Sequence, residues 1–277
     1  MNPMTILLAA WAATALLMFV LWLRQIQSSN AGIVDVAWAL LTPIVGSWLI
    51  LADDAANGTR QYLVICLCLF WGLRLAFYLF KRSQRETEDG RYRHMREYCG
   101  RYAQPAMFVF FQLQALAVLM FALPFWGAAR NVELTLGLLD YAGVVVWLIA
   151  FFGEWLSDWQ LAKFKRSARG SSAVCQEGLW KYSRHPNYFF ECLHWWAYVL
   201  IGYGSDYWIL TWAGLLAMYV SITRVTGVPY VEQQSLRSKG EAYRRYQQST
   251  SAFFPMPPRV AVSKGKSGRT RQRSIQA

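Results

Sequence analysis

MTILLAAWAATALLMFVLWL, from Met4 to Leu23, runs for 20 residues without a charged side chain. At a rise of about 1.5 Å per residue, a helix of that length matches the roughly 30 Å hydrocarbon core of a bilayer. Six further apolar runs follow: Ala31–Leu51, Tyr62–Phe80, Met107–Trp126, Tyr141–Trp155, Tyr188–Ile201 and Trp208–Ile222. The fifth and sixth of the seven are short. Lipid offers no partner to backbone N–H and C=O groups, so such segments satisfy them internally, as helices. The expectation is an all-α, polytopic membrane protein with seven transmembrane helices.

Composition agrees. Of 277 residues, 55% are hydrophobic and 16% charged, against about a quarter charged in soluble domains. No Lys or Arg precedes Met4, and Trp11 and Trp22 lie in the apolar run. It therefore reads as a first spanning helix and not as a cleaved signal.

The net charge of +12 is unevenly placed. Lys81, Arg82, Arg85, Arg91, Arg93, Arg96 and Arg101 follow the third run. Lys163, Lys165, Arg166, Arg169, Lys181 and Arg184 follow the fifth, and an acid-free tail with Arg259, Lys264, Lys266, Arg269, Arg271 and Arg273 follows the seventh. Loops after the even-numbered runs carry little positive charge. The positive-inside rule puts the N-terminus outside and the C-terminus in the cytoplasm. Residues 1–258 are expected to form one membrane domain and 259–277 a basic, disordered cytoplasmic tail, with the break at Pro255-Met-Pro-Pro258. The tail suits anionic lipid. Between Lys163 and Arg184, acids and aromatics interleave with the bases, which suits a phosphate-bearing ligand. Nucleic acid is not an expected partner.

The five cysteines form no framework. Cys66 and Cys68 lie two apart on different faces of one helix, and no metal-ligand spacing occurs. Ser83–Gln104 is polar and too long for a turn, so it is expected to cap the cytoplasmic mouth. Gln233–Tyr246 is expected to form a surface helix that returns to the membrane at Phe253-Phe254-Pro255.

Polar residues within or beside the apolar runs are expensive and mark candidate chemistry. Asp35 lies early in the second run. Facing the bundle beside Trp38 and Trp48, it would be apolar-walled and a proton donor near neutral pH; near the interface, it would be solvated. Arg74 either snorkels to the interface or pairs with a carboxylate or cofactor, with Trp71 on its face. Glu154 and Asp158, four apart, share a helix face. The densest stretch is Gly178-Leu-Trp-Lys-Tyr-Ser-Arg-His-Pro-Asn-Tyr-Phe-Phe-Glu191. Pro186 suits a first helical turn, where free N–H groups favour anions. His185, Asn187 and Glu191 have the groups to bind an amide, a ribose or a phosphate; the plain alternative is a structural cap. There is no dinucleotide-binding Gly-x-Gly-x-x-Gly after a strand, no Walker loop and no nucleophile elbow.

Three segments together carry a resemblance. Glu154-Trp-Leu-Ser-Asp158, Phe164-Lys165-Arg166 and Gly178–Glu191, with Gly227-Val-Pro-Tyr-Val-Glu232 and Tyr243-Arg-Arg-Tyr246 through Pro255, resemble the steroid 5-alpha-reductase family in its bacterial branch. That resemblance implies a seven-helix enzyme of the bacterial inner membrane with its cofactor site facing the cytoplasm. It implies NADPH-dependent reduction of the C4–C5 double bond of a 3-oxo-Δ4-steroid or similar lipophilic enone entering from the bilayer. By matching position it implies cofactor contacts from Glu154, Asp158, Lys165, His185, Asn187, Glu191, Arg224 and Tyr246, and phosphate contacts from Arg91 and Arg93. Asp35 is the nearest candidate for the group holding the ketone. The family's tyrosine partner falls at Trp71, which has no hydroxyl, and a family arginine falls at Thr250.

Conjugate reduction needs a hydride donor over the β-carbon, a group that polarises the ketone, and exclusion of water. Two rivals stand beside it. Arg-His-Pro-x-Tyr followed by Glu also resembles isoprenylcysteine carboxyl methyltransferases, which use S-adenosylmethionine. A transporter or scaffold would instead place polar residues near the bilayer midplane.

Overall fold

The structure is a computed structural model and describes residues 3–53, 58–84, 88–131, 135–167 and 173–259. Arg85, Arg169 and the basic tail from residue 260 onward lie outside the described residues. Ten α-helices occur among the described residues: α1 (Pro3–Ser28), α2 (Ile33–Leu51), α3 (Thr59–Ser83), α4 (Gly90–Cys99), α5 (Ala103–Ala129), α6 (Leu138–Arg166), α7 (Pro186–Ile201), α8 (Trp208–Val220), α9 (Val228–Lys239) and α10 (Glu241–Ser249). Within the described residues there is no strand, only one parallel bridge between Ser183 and Ser251.

Among the described residues, six helical stretches are long and apolar enough to cross a membrane: Met4–Ser28, Ile33–Leu51, Thr59–Ser83, Gly90–Ala129, Leu138–Arg166 and Trp208–Lys239. Their outward faces keep large apolar side chains exposed, among them Leu16 on α1, Phe70 on α3, Leu113 on α5 and Phe152 on α6. A water-soluble monomer rarely exposes so continuous an apolar belt. A lipid-facing one requires it.

The expected sixth span is the exception. Tyr188–Ile201 forms a helix, α7, but at 16 residues it falls short of the length a span needs. Pro186 opens it, Gly202 follows it, and it carries Asn187, Glu191 and His194 between apolar residues.

α2 packs against α3 and α5, α1 lies on α5, α6 runs along α7, and α8 leans on α5 and α7. Glycine permits the closest approaches. A Cβ on Gly72 of α3 would meet Ala39 O of α2 at 2.7 Å, and one on Gly143 of α6 would meet Ala197 O of α7 at 2.9 Å. Without lipid-driven hydrophobicity between helices, such close backbone packing supplies much of the association energy.

The end of the bundle holding Arg60 is pinned by ions. Arg60 of α3 donates to both oxygens of Asp140 of α6, at 2.7 and 2.8 Å, with both side chains buried. Asp140 also accepts from the Gly137 N–H at 2.7 Å. The opposite end of α3, about 21 Å further along at Arg74, carries the polar cluster.

Candidate functional site

Arg74 is the hub. It projects from α3 and ion-pairs with Glu154 and, at 3.3 Å, with Asp158, both on α6. The spacing of four puts the two acids on one face, so a single guanidinium meets both. Asn187 Nδ2, in the first turn of α7, donates to Asp158 Oδ1 at 3.3 Å. Phe151 lies under the guanidinium at 5.9 Å. Glu191, one turn deeper on α7, adds its charge to the same group. Three buried carboxyls thus lie around one largely buried cation, its side chain 11% exposed, and Arg74 Nε has no hydrogen-bond partner among the described residues.

Glu191 is held by two indoles. Trp71 Nε1 donates to its Oε2 at 3.0 Å and Trp195 Nε1 to its Oε1 at 3.2 Å. Below them lies an aromatic core. Trp71 stacks on His194 at 4.9 Å, and Trp38, Phe125 and Trp195 pack edge-on to Trp71. Trp71 and His194 are each 1% exposed.

The stretch leading into α7 is tied to the C-terminal segment. Gly178, at φ +58°, makes the left-handed turn that other residues resist. Trp180 Nε1 donates to Ser157 O, and Ser183 Oγ donates to Phe253 O. Arg184 donates to the carbonyls of Gln247 and Thr250 and to Glu232 at 2.6 Å. Tyr246 donates its hydroxyl to the carbonyls of Trp180 and Ser183. Tyr246 therefore secures the backbone of the motif. His185 stacks on Tyr188 at 5.5 Å and meets Glu232 Oε1 at 3.3 Å. Burial pushes its imidazole below the ordinary histidine value, and the Glu232 carboxylate offsets this only in part.

A second cluster sits over the same end. Arg91 on α4 donates to Asp35 at 2.7 Å and to Asp89 at 3.1 Å. The Tyr92 hydroxyl donates to the other oxygen of Asp35 at 2.6 Å, and Arg82 donates to Asp89 at 2.6 Å. Burial works against the Asp89 carboxylate, but Arg91 and Arg82 outweigh it and hold the group below its usual range. The polar segment expected to cap the mouth does so as a helix. Asp35 departs from the apolar-walled expectation: both oxygens accept hydrogen bonds, because α4 folds back and delivers Arg91 and Tyr92 to it.

Of the sequence-derived residues, the structure thus gathers Glu154, Asp158, Asn187, Glu191 and Trp71 around Arg74, and joins Asp35 to Arg91. Arg93 is exposed and donates to Glu88 O at 3.3 Å. Lys165 is exposed, its charge felt at Lys239, and Arg224 is exposed on a π-helical turn, Ser221–Val225. Sequence reasoning left Tyr92 and Trp195 out of the site. The spacing of four from Glu191 was a usable signal for Trp195; Tyr92 had none, since only the fold brings it to Asp35. Among the described residues no group of three metal-ligating side chains is present.

Similar proteins exist but bring no activity with them. An uncharacterized protein of Schizosaccharomyces pombe is 26% identical over 270 residues, covering 85% of this chain and 76% of its own length. No solved structure matches the chain. A family profile matches residues 21–250, and on that match the chain belongs to the family described as protein of unknown function, DUF1295.

Proposed function

We propose that this protein is an NADPH-dependent reductase of the C4–C5 double bond of a 3-oxo-Δ4-steroid or a similar lipophilic enone. One observation carries the proposal. Glu154, Asp158, Asn187 and Glu191, from two helices about 30 residues apart, converge on Arg74 at one end of an apolar bundle. Buried charge in such numbers has little structural benefit and is costly to maintain.

The donor and acceptor set fits the nucleotide. Carboxylates in excess of cations suit ligand hydroxyl and amide N–H groups, which the ribose and carboxamide supply. Arg74 Nε offers a donor in return. Phosphates would go to Arg91, Arg93 and Lys165, with Arg224 exposed at the rim; the buried His185 and Tyr246 would act from behind, holding the motif's backbone and its tie to the C-terminal segment. When bound, NADPH supplies the hydride that reduces the β-carbon.

The chain's own residues bind, orient and exclude water. Asp158 and Asn187 hold a polar ligand at the mouth; Glu191, fixed by Trp71 and Trp195, marks the floor. The aromatic core beneath keeps the reacting centre dry, which strengthens each electrostatic contact there. Asp35 enters as the partner of Arg91, since its oxygens already accept from Arg91 and Tyr92. In the proposed topology α7 completes a seventh crossing, the N-terminus lies outside, and the site faces the cytoplasm of a bacterial inner membrane.

The test is thermal stabilisation of the detergent-purified protein by NADPH, NADH or S-adenosylmethionine, because a ligand selective for the folded state raises its stability. Stabilisation by NADPH, followed by 5-alpha-reduced product from a 3-oxo-Δ4-steroid, is the expected result. Stabilisation by S-adenosylmethionine alone would transfer the site to methyl transfer.

A further inference from the structure

His194 is a polar side chain at the centre of the aromatic core, 1% exposed, with one nitrogen unused. Its Nε2 lies 3.0 Å from the Tyr198 hydroxyl, and its Nδ1 has no hydrogen-bond partner among the described residues. A phenol is the stronger proton donor and an imidazole nitrogen the stronger acceptor, so Tyr198 donates to Nε2. That fixes the tautomer: Nδ1 carries the proton. An unpaired N–H in a dry core is costly, and native proteins rarely leave one without a purpose.

The surroundings suit a ligand. Trp71 stacks on the His194 ring, and its own N–H is spent on Glu191, as is that of Trp195. The α3 and α7 backbones scarcely approach one another, so the gap between them is filled by large side chains: Trp71, His194 and Trp195. Trp71, Trp147, Trp195 and Tyr198 pack around the imidazole, and its Nδ1–H is left unpaired among their rings.

We infer that His194 binds the carbonyl oxygen of the lipophilic substrate, donating from Nδ1, with Tyr198 as the positioning residue that fixes the tautomer. The inference rests on the reductase proposal and assigns within it the group that polarises the ketone. A neutral imidazole donor tolerates these aromatic surroundings where a charged one would not, and its hydrogen bond strengthens as negative charge develops on the oxygen.

The test is the infrared carbonyl stretch of testosterone, labelled with 13C at its ring ketone, bound to the detergent-purified protein. In the wild type the stretch is expected at lower frequency than for the same steroid in detergent alone. His194→Phe should abolish that displacement and His194→Gln restore part of it, with stabilisation by NADPH retained in both. An equal displacement in wild type and His194→Phe overturns the inference. Should His194→Phe not accumulate, the wild type suffices: the chain has three histidines, and with 15N-imidazole labelling the steroid should move one buried Nδ1–H resonance. No movement overturns the inference. Stabilisation by NADPH with no carbonyl displacement in the wild type overturns the inference and leaves the nucleotide proposal intact, whereas failure of NADPH to stabilise any form overturns both.

Discussion

Trp71 on α3 and Glu191 on α7 share a 3.0 Å hydrogen bond across 120 residues of sequence. The same indole stacks on His194 and meets Trp195 edge-on, so Trp71 joins the polar mouth to the aromatic core. Trp71→Phe leaves one oxygen of a buried carboxyl without a donor, since Trp195 serves the other. The expected cost is about 1–3 kcal/mol, measured as a fall in thermal midpoint in detergent. Trp195→Phe should cost a similar amount, and the double variant more than the sum, because Glu191 then has neither indole.

Arg74 answers two acids on α6 at once. Its removal strands buried carboxyls, so Arg74→Met should destabilise by roughly 3–5 kcal/mol. Arg74→Lys should recover little, because a compact ammonium lacks the fork that reaches both Glu154 and Asp158. Nucleotide stabilisation should vanish in both. Full stability in Arg74→Met would remove the cluster from any central role.

Gly72→Ala probes the α2–α3 contact. The added Cβ would face Ala39 O at 2.7 Å and the Pro43 ring, and neither backbone nor proline ring can step aside. A loss of about 1–3 kcal/mol is expected, whereas Gly137→Ala, where the nearest atom is 4.0 Å away, should cost far less. Chemical denaturation of the two variants side by side checks the difference.

Acid should loosen the motif around His185. Burial holds this imidazole below the ordinary value of 6.5, so the folded protein binds fewer protons than the unfolded chain once pH falls past 6.5. Its contribution to stability is complete above that value and is lost as pH drops through the lower, folded value. The thermal midpoint should therefore fall on going from about pH 7.5 to about pH 5.5. The slope should flatten in His185→Gln.

Much of the helical plan was legible in the sequence because lipid leaves the chain few choices. Long apolar runs such as Met4–Leu23 must be helices, and α1, α2, α3, α5 and α6 are where those runs predict. The partners of the polar residues were less legible. Glu154 with Asp158 follows from helical spacing, but their shared cation is Arg74, about 80 residues earlier, and no local pattern encodes that. Asp35 shows the limit most clearly. Its own neighbours, Trp38 and Trp48, suggest an apolar wall; α4, arriving from 56 residues away, brings Arg91 and Tyr92 instead. Short α7 was hard to judge for a related reason, since Asn187, Glu191 and His194 interrupt its apolar residues and run length is a poor guide there.

If α7 makes the proposed seventh crossing, its shortness makes membrane thickness a variable of this protein. Sixteen residues reach about 24 Å, some 6 Å less than an average hydrocarbon core, and the polar first turn with Asn187 lies at one end of that length. In that topology lipids around the helix would thin, or water would descend to its first turn, at a small energetic cost per ångström. Short-chain lipids would relieve the mismatch and long-chain lipids deepen it. The lipid bed would then tune how readily a water-borne molecule reaches the polar mouth, without touching a single side chain.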